Sequence, residues 1–285
     1  FDRMLDEAHP YHNTGPFPLS FFFSAIVSVD VLDPMTVKFT LNAPYAPFLS
    51  NLAYPTGLIV SPDAVAKHGT DFGRNPSGTG AFKFGEWRSN EAVVVEANSS
   101  HWEGAPKLQA VVFRPITDAN TRTAEMLAGG IDMMVEVPPV ALSKFQGDGY
   151  TVHEQAGPHV WFLILNAKEG PFSDVRVRQA ANYAINKEAI VNDVLEGTAA
   201  VAAGPTPPAF AWAYNNSLEP YPYNPEKARQ LISEAGADGA ELTFFVTEGG
   251  SGMLDPVAMG TAIKADLQAV GLKVNIETYE WNTFL

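Results

Sequence analysis

Aromatic side chains in the second half of the chain are its best candidates for ligand chemistry. Trp161, Trp212, Tyr214, Tyr279 and Trp281 fall in loops or at the ends of predicted strands. Tyr279 and Trp281 are two positions apart, so an extended strand would place both rings on one face. Because strands of α/β domains form ligand pockets at their carboxyl ends, one interpretation is a stacking platform for a solute. The other interpretation is ordinary edge or core packing.

A glycine-rich loop, residues 248–252 (EGGSG), lies between a predicted strand and a predicted helix. Backbone amides of Gly250 and Ser251, at the approach to the helix, could hold a carboxylate or another anion. The alternative is a flexible connector. The loop lacks the Gly-x-Ser-x-Gly spacing of a hydrolase nucleophile elbow.

Signatures of catalysis and of cofactor binding are missing from the sequence. Gly78-Thr79-Gly80 precedes a predicted strand rather than a helix, which favours a tight turn over a dinucleotide loop. Of the six histidines only His9 and His12 are close, and a zinc site needs three or four convergent ligands. There is no cysteine, which removes disulfides and thiolate chemistry. We therefore predict no catalytic residue, no metal site and no cofactor, although 32 acidic residues leave a paired-carboxylate hydrolase open.

The composition indicates a folded, acidic protein. Hydrophobic residues make up 46% of the 285 positions and aromatic residues 11%, which suits a buried core and excludes a wholly disordered chain. Lysine and arginine number 18 against 32 acids, a net charge of -14. Such a surface repels phosphate backbones and anionic membranes, so we expect no nucleic-acid partner.

The elements that must position these residues differ between the two halves. The first half is rich in strands with hairpin-like turns, such as the run from Ile26 to Leu41 around Asp33-Pro34. A helix capped by Asp118 and a strand over Ile131–Val135 follow, and Asn186 is a candidate start for a later helix. The second half shows helix and strand patterns in alternation. Its predicted elements are a strand buried on both faces over Val160–Asn166, one or two helices over Ser173–Leu195, a helix from Asn224, and a strand, helix and strand over 241–246, 257–270 and 272–279. The last three predict parallel strands with a crossover helix.

Several colinear stretches together resemble one family, the extracellular solute-binding proteins of peptide and nickel ABC importers (family 5, the dipeptide/oligopeptide-binding group). The stretches are FDRML near the start, YAPFLSNLA at 45–53, NPSGTGAFKFGEW at 75–87, DANTRTAEMLAGGIDMM from 118, FSDVRVRQAANYAINKEAIV from 172, YPYNPEKARQLISEAG from 221 and AIKADLQAVGLKVNIETYEW from 262. The resemblance implies an α/β, two-lobed periplasmic-binding-protein-like fold of type II, the large peptide-binder class. Because the chain opens on FDRMLDEAHPYH and closes on ETYEWNTFL, we expect it to be incomplete at both ends.

The resemblance also implies a division of the chain and a set of binding residues. It predicts one first-lobe subdomain over 1–75, the main part of that lobe over 76–157 and a second lobe over 158–285. Trp281 matches a tryptophan that lines the cleft of peptide binders, and His159 and Trp161 fall where the chain enters the second lobe. With Tyr279, Gly250 and Ser251, these residues form the predicted ligand-binding set.

One departure from the family pattern bears on the ligand. In dipeptide binders the loop before helix 257–270 carries an arginine that holds the peptide carboxylate, whereas EGGSGMLDP here contains none. The aspartate that holds the peptide amino group would fall beyond Leu285. A plain dipeptide is thus in doubt, and longer peptides, an amide or sugar, or a chelated metal stay open.

The function that follows is solute capture without catalysis. We expect the substrate-binding component of an ABC importer, which encloses a peptide or peptide-like solute between two lobes and delivers it to a membrane permease. Such a protein would be a monomer, periplasmic or held outside the cell as a membrane-anchored lipoprotein, with its signal segment outside this stretch. The alternatives are a binder of a non-peptide solute (sugar, amide or nickel chelate) and a secreted carboxylate-dependent hydrolase.

Overall fold

The computed structural model describes residues 1–147, 149–155, 157–250 and 252–284. The chain forms two compact units, Phe1–Pro115 and Ile116–Leu285, which we call unit 1 and unit 2. The three-part division predicted at residues 75 and 157 stays a prediction. None of the helices in the described part of the chain is long and apolar enough to cross a bilayer.

Unit 1 is built on two antiparallel sheets. Strands β1 (Ile26–Asp33) and β2 (Thr36–Leu41) form the hairpin expected around Asp33-Pro34, and β3 (Phe82–Arg88), β4 (Ala92–Ala97) and β5 (Ala110–Phe113) form the second sheet in that order. Its helices are α1 (Asp2–Leu5), α2 (Phe48–Leu52) and α3 (Pro62–His68), with 3-10 turns at His12–Thr14, Ser20–Phe23, Pro55–Gly57 and Gly69–Arg74. The Asp33 carboxylate accepts a hydrogen bond of 2.8 Å from the Met35 N–H, which closes the hairpin turn.

Unit 2 combines helices with a parallel strand pair. Its elements are α4 (Ala119–Leu127), α5 (Val175–Ala184), α6 (Lys187–Ala189) leading into a π-helical turn (Ile190–Val194), α7 (Pro225–Glu234), β6 (Glu241–Thr247), α8 (Pro256–Ala269), β7 (Lys273–Tyr279) and α9 (Trp281–Phe284), with 3-10 turns at Pro139–Phe145 and Pro171–Ser173. Strands β6 and β7 pair in parallel from Glu241↔Lys273 to Thr247↔Tyr279. The predicted strand–helix–strand unit is therefore confirmed.

Side-chain caps start the helices of unit 2 where the sequence predicts them. The carboxylate or amide oxygens of Asp118, Asn186 and Asn224 accept hydrogen bonds of 2.7–3.1 Å from backbone N–H groups three residues on. Each cap satisfies a donor that the first helical turn leaves unpaired.

The core of unit 2 lies between α5, α7 and α8 and the strand pair. It is a single cluster of buried apolar side chains drawn from these elements and their connections, including Ala180, Ile232, Leu242, Ile263 and Leu272. Gly260 lets α8 lie close on β6, because a Cβ atom at this position would be 2.8 Å from Cγ2 of Val246.

Two predicted strands of unit 2 are wrong. Val160–Asn166 pairs with no strand among the described residues, and its burial alternates: Trp161 and Leu163 pack against the core, whereas Phe162 is 68% exposed and Ile164 is also exposed. A continuous apolar run therefore does not mean burial on both faces here. The segment Ile131–Val135, expected as a strand, is irregular and exposes Met133 and Val135.

Candidate ligand-binding site

The carboxyl ends of β6 and β7 bring two separate parts of the predicted site together. The strands end at the paired residues Thr247 and Tyr279, and the Glu248 N–H donates a hydrogen bond of 3.0 Å to the Tyr279 carbonyl oxygen. The glycine-rich loop therefore leaves β6 beside the start of α9, which follows β7. This edge is where α/β domains form ligand pockets.

Trp281, the first residue of α9, lies against the glycine-rich loop. A Cβ atom at Gly250 would be 2.8 Å from Cε3 of the indole, closer than side chains pack. Only glycine thus lets the ring rest on the loop backbone. The ring of Phe284 is nearly parallel to the indole, with 6.2 Å between the ring centroids and an angle of 16° between the planes. Trp281 is half-buried, which leaves part of the ring open to a solute.

His159 and Glu136 approach the same loop at Gly252. This glycine has φ +76°, and a Cβ atom there would be 3.5 Å from Cδ2 of His159. Its N–H donates a hydrogen bond of 2.9 Å to Oε1 of Glu136, a residue 116 positions away in the chain. Glu136 has φ +56°, a left-handed conformation that is uncommon for a residue other than glycine. We call Glu136, His159, Gly250, Gly252 and Trp281 the glycine corner.

The electrostatic character of the glycine corner is acidic. The chain segments that supply it, residues 123–143, 145–167, 230–263 and 274–285, contain no lysine or arginine. The carboxylate of Glu136 touches the loop and already accepts the Gly252 N–H. A solute carboxylate therefore meets no lysine or arginine from these segments, so the corner favours neutral or cationic groups.

The structure brings together three of the six predicted binding residues and gives two others different packing partners. Gly250, His159 and Trp281 meet at the loop, while Trp161 is half-buried and packs against the core of unit 2. The ring of Tyr279 packs edge-on against Phe245 at 5.5 Å. Ser251 lies outside the described residues.

The strand argument that linked Tyr279 to Trp281 is wrong. Strand β7 ends at Tyr279 and Trp281 begins a helix, so no extended strand places the two rings on one face. The Tyr279 hydroxyl donates a hydrogen bond of 2.7 Å to Oε2 of Glu277, and this bond to a carboxylate raises the pKa of Tyr279. A ligand-binding role for Tyr279 stays a prediction.

Sequence reasoning missed Glu136 and a neighbouring pocket. Glu136 follows a segment that looked like a strand, and no local pattern links it to a loop 116 positions on. The pocket, about 460 Å³ in volume, includes His159 in its lining. It is lined by His159, Phe162, Pro205, Pro207, Phe210 and Trp212 among others. In the sequence, the only sign of this pocket was a loop rich in aromatic residues and proline.

No metal centre is evident in the part of the chain that the structure describes. No group of three or more histidine and acidic side chains there is placed to hold an ion. The glycine corner offers instead an aromatic face, a carboxylate and backbone polar groups, which suit a small organic solute.

Comparison with known proteins identifies relatives over the whole length of the chain. A model of the family described as "Bacterial extracellular solute-binding proteins, family 5 Middle" matches residues 1–285. The chain is 36% identical to Heme-binding protein A of Haemophilus influenzae, over 99% of this chain and 54% of that protein. It is also 36% identical to the glutathione-binding protein GsiB of Salmonella paratyphi A, over 78% of this chain and 44% of that protein.

A solved structure shows the same fold. The periplasmic binding protein DppA of Helicobacter pylori, in complex with the peptide STSA, is 31% identical with a TM-score of 0.87, covering 100% of this chain and 57% of that one. The predicted α/β, periplasmic-binding-protein-like fold class is confirmed by this match. The chain spans about half the length of these relatives.

Proposed function

This chain belongs to the bacterial extracellular solute-binding proteins of family 5, and on that premise we propose that it captures a peptide or peptide-like solute for an ABC importer. The main observation in support of the proposal is the close contact of Trp281 with Gly250 at the carboxyl ends of β6 and β7. A half-exposed indole on a glycine backbone provides a flat face for stacking.

The mechanism proposed is closure rather than catalysis. Two lobes of the whole protein would close on the solute, and the closed form would dock on the permease. The protein would act as a monomer in the periplasm or tethered outside the cell. The relatives above are named as binding proteins, which supports a non-enzymatic role.

The peptide interpretation draws on the Helicobacter pylori relative, which is described in complex with the peptide STSA. The glycine corner adds a restriction. Since its loop has no arginine and the Gly252 N–H is already bonded to Glu136, a ligand carboxylate is not anchored here. We therefore propose that the corner meets the interior or the amino end of a peptide.

A second candidate function is the capture of a non-peptide solute such as a sugar, an amide or a nickel chelate. The absence of an arginine from the loop also favours this candidate. The relatives named for heme and for glutathione support a family range wider than simple peptides. A screen of ligands separates the two candidates.

The test is a thermal-shift screen of the full-length protein against di-, tri- and longer peptides, sugars and nickel chelates. A ligand at about 100 times its dissociation constant stabilises the folded state by ~2.7 kcal/mol. The binding variant is Gly250→Ala, whose methyl group displaces the indole. Its matched control is Gly249→Ala, where an added Cβ meets no atom within 4 Å.

We expect peptides to raise the melting midpoint of the wild type and of Gly249→Ala, and to raise it much less in Gly250→Ala. A response to sugars or chelates alone would replace the peptide by the second candidate. No response to any compound would contradict solute capture. Equal responses of the two variants would show that the solute binds elsewhere.

A further inference from the structure

The pocket beside the glycine corner has no role in the site described so far. It has a volume of about 460 Å³, within the range of ~300–1,000 Å³ typical of small-molecule sites. Three aromatic rings, Phe162, Phe210 and Trp212, line it together with Pro205 and Pro207. We call this cavity the aromatic pocket.

We propose, on the basis of the function proposed above, that the aromatic pocket receives a bulky aromatic or aliphatic side chain of the captured peptide. The protein would then select peptides that carry such a residue over peptides with small polar side chains. The proposal concerns the class of substrate and not the existence of binding.

The rings of the pocket are held out of the core by the local structure. Phe162 lies between Trp161 and Leu163, which both pack against the core of unit 2, so its own side chain is directed to the opposite side and is 68% exposed. Trp212 is 87% exposed. Large apolar rings that face water are only partly covered by the unit itself, and a ligand that covers them gains their burial.

The loop that carries two of the rings is preorganised. The Phe210 carbonyl accepts hydrogen bonds of 2.8 and 2.9 Å from the N–H groups of Ala213 and Tyr214, and the Phe210 N–H donates to the Pro207 carbonyl at 3.0 Å. Phe210 and Trp212 pack edge-to-face with 6.3 Å between their centroids. Proline and these turns restrict the backbone, so binding costs little further ordering.

His159 makes the aromatic pocket continuous with the glycine corner. It lines the pocket and also lies against Gly252. A peptide that stacks on Trp281 at the corner can therefore extend one side chain past the imidazole into the pocket. This continuity identifies the occupant as part of the same solute.

The chemistry of the walls decides which side chain fits. Apart from His159 and Thr206, the described residues that line the pocket are proline, valine, phenylalanine, tryptophan and alanine. A charged or strongly polar side chain would lose water here without gaining partners, which is costly. An aromatic ring gains burial and edge-to-face contacts.

The test compares two tripeptides, Ala-Phe-Ala and Ala-Ser-Ala, by isothermal titration calorimetry on the full-length protein. We expect Ala-Phe-Ala to bind at least ~10-fold more tightly, the effect of burying one aromatic side chain. Trp212→Ala should reduce this preference to less than ~3-fold by removing one wall of the pocket, and Trp212→Phe should retain most of it.

The matched control is Trp102→Ala, which removes another highly exposed tryptophan (78% exposed) from unit 1 and should leave the preference unchanged. Circular dichroism melts confirm that each variant is folded. Equal affinity for the two tripeptides, or an unchanged preference in Trp212→Ala, would overturn the proposal that the aromatic pocket receives a peptide side chain. The proposal of solute capture would not be affected by either result. Failure of both tripeptides and of every compound in the screen above would overturn both proposals.

Discussion

The two units of this chain bury their apolar side chains to different extents. In unit 2, helices α5, α7 and α8 pack on the β6–β7 pair and share one core cluster. In unit 1, the β1–β2 hairpin leaves Val31, Leu32 and Met35 exposed. The physical reason is layering: α8 packs on both strands of unit 2, whereas Phe1 and Phe48 pack on Phe39 of the hairpin and the hairpin turn around Met35 stays uncovered.

The comparison of the two units indicates which part of the molecule can hold the residues of a binding site in fixed positions. The glycine corner adjoins β6, β7 and α8, which contribute buried side chains to the core cluster of unit 2. These elements position Gly250 and Trp281 so that the two residues are in contact. Sites built on such elements hold their geometry better than sites carried by exposed hairpins.

The largest expected effect compares the same substitution in both units. Leu272→Ala, at a position 2% exposed in the core of unit 2, should lower the free energy of unfolding by ~2–5 kcal/mol because it leaves a cavity. Leu32→Ala, at a position 60% exposed in the hairpin, should change it by less than ~0.5 kcal/mol. Urea denaturation measures both. Similar losses for the two variants would contradict the contrast between the units.

The prediction of intermediate size tests whether Trp281 acts in ligand binding or in the stability of the core. Trp281→Ala should weaken binding of the tightest ligand found in the screen by ~1–3 kcal/mol, because it removes the stacking face. The melting point should change little. Trp102→Ala in unit 1 serves as the control for a lost exposed tryptophan. A large loss of stability with unchanged affinity would show that Trp281 belongs to the core.

The smallest effect concerns a carboxylate at the start of α5. Asp174 accepts hydrogen bonds from the side chain of Arg176 and from its N–H, and these lower the pKa of Asp174 to about 2. The stabilisation is therefore fully present above the unfolded pKa of ~3.9 and is lost as the pH falls toward about 2. Asp174→Asn should lower the melting midpoint at pH 7, and the difference from wild type should vanish near pH 2.

The counterpart in unit 1 is Asp33, whose pKa is lowered by hydrogen bonds from the Met35 N–H and from Thr36. Asp33→Asn should leave the main unfolding transition in place at pH 7, since the hairpin shares no core with α5. Melting curves of both variants between pH 2 and pH 7 provide the measurement. A larger shift for Asp33→Asn would show that the hairpin supports the global fold.

Much of the architecture around the site was predictable because it depends on neighbouring residues. The caps Asp118, Asn186 and Asn224 act over three positions, and the strand–helix–strand unit follows from apolar periodicity. The family could also be identified, because its motifs run colinearly through the whole chain. Periodicity failed for Val160–Asn166, since an apolar run does not reveal which of its faces finds a partner.

The sequence by itself therefore determined the local elements, the acidic charge and the family, all of which depend on short-range interactions and composition. The tertiary structure alone decided that Glu136 reaches Gly252, that Trp281 starts a helix on Gly250 and that His159 joins the corner to the aromatic pocket. These contacts join residues far apart in the chain. Their geometry depends on how β6, β7 and α8 pack, and no local pattern encodes that packing.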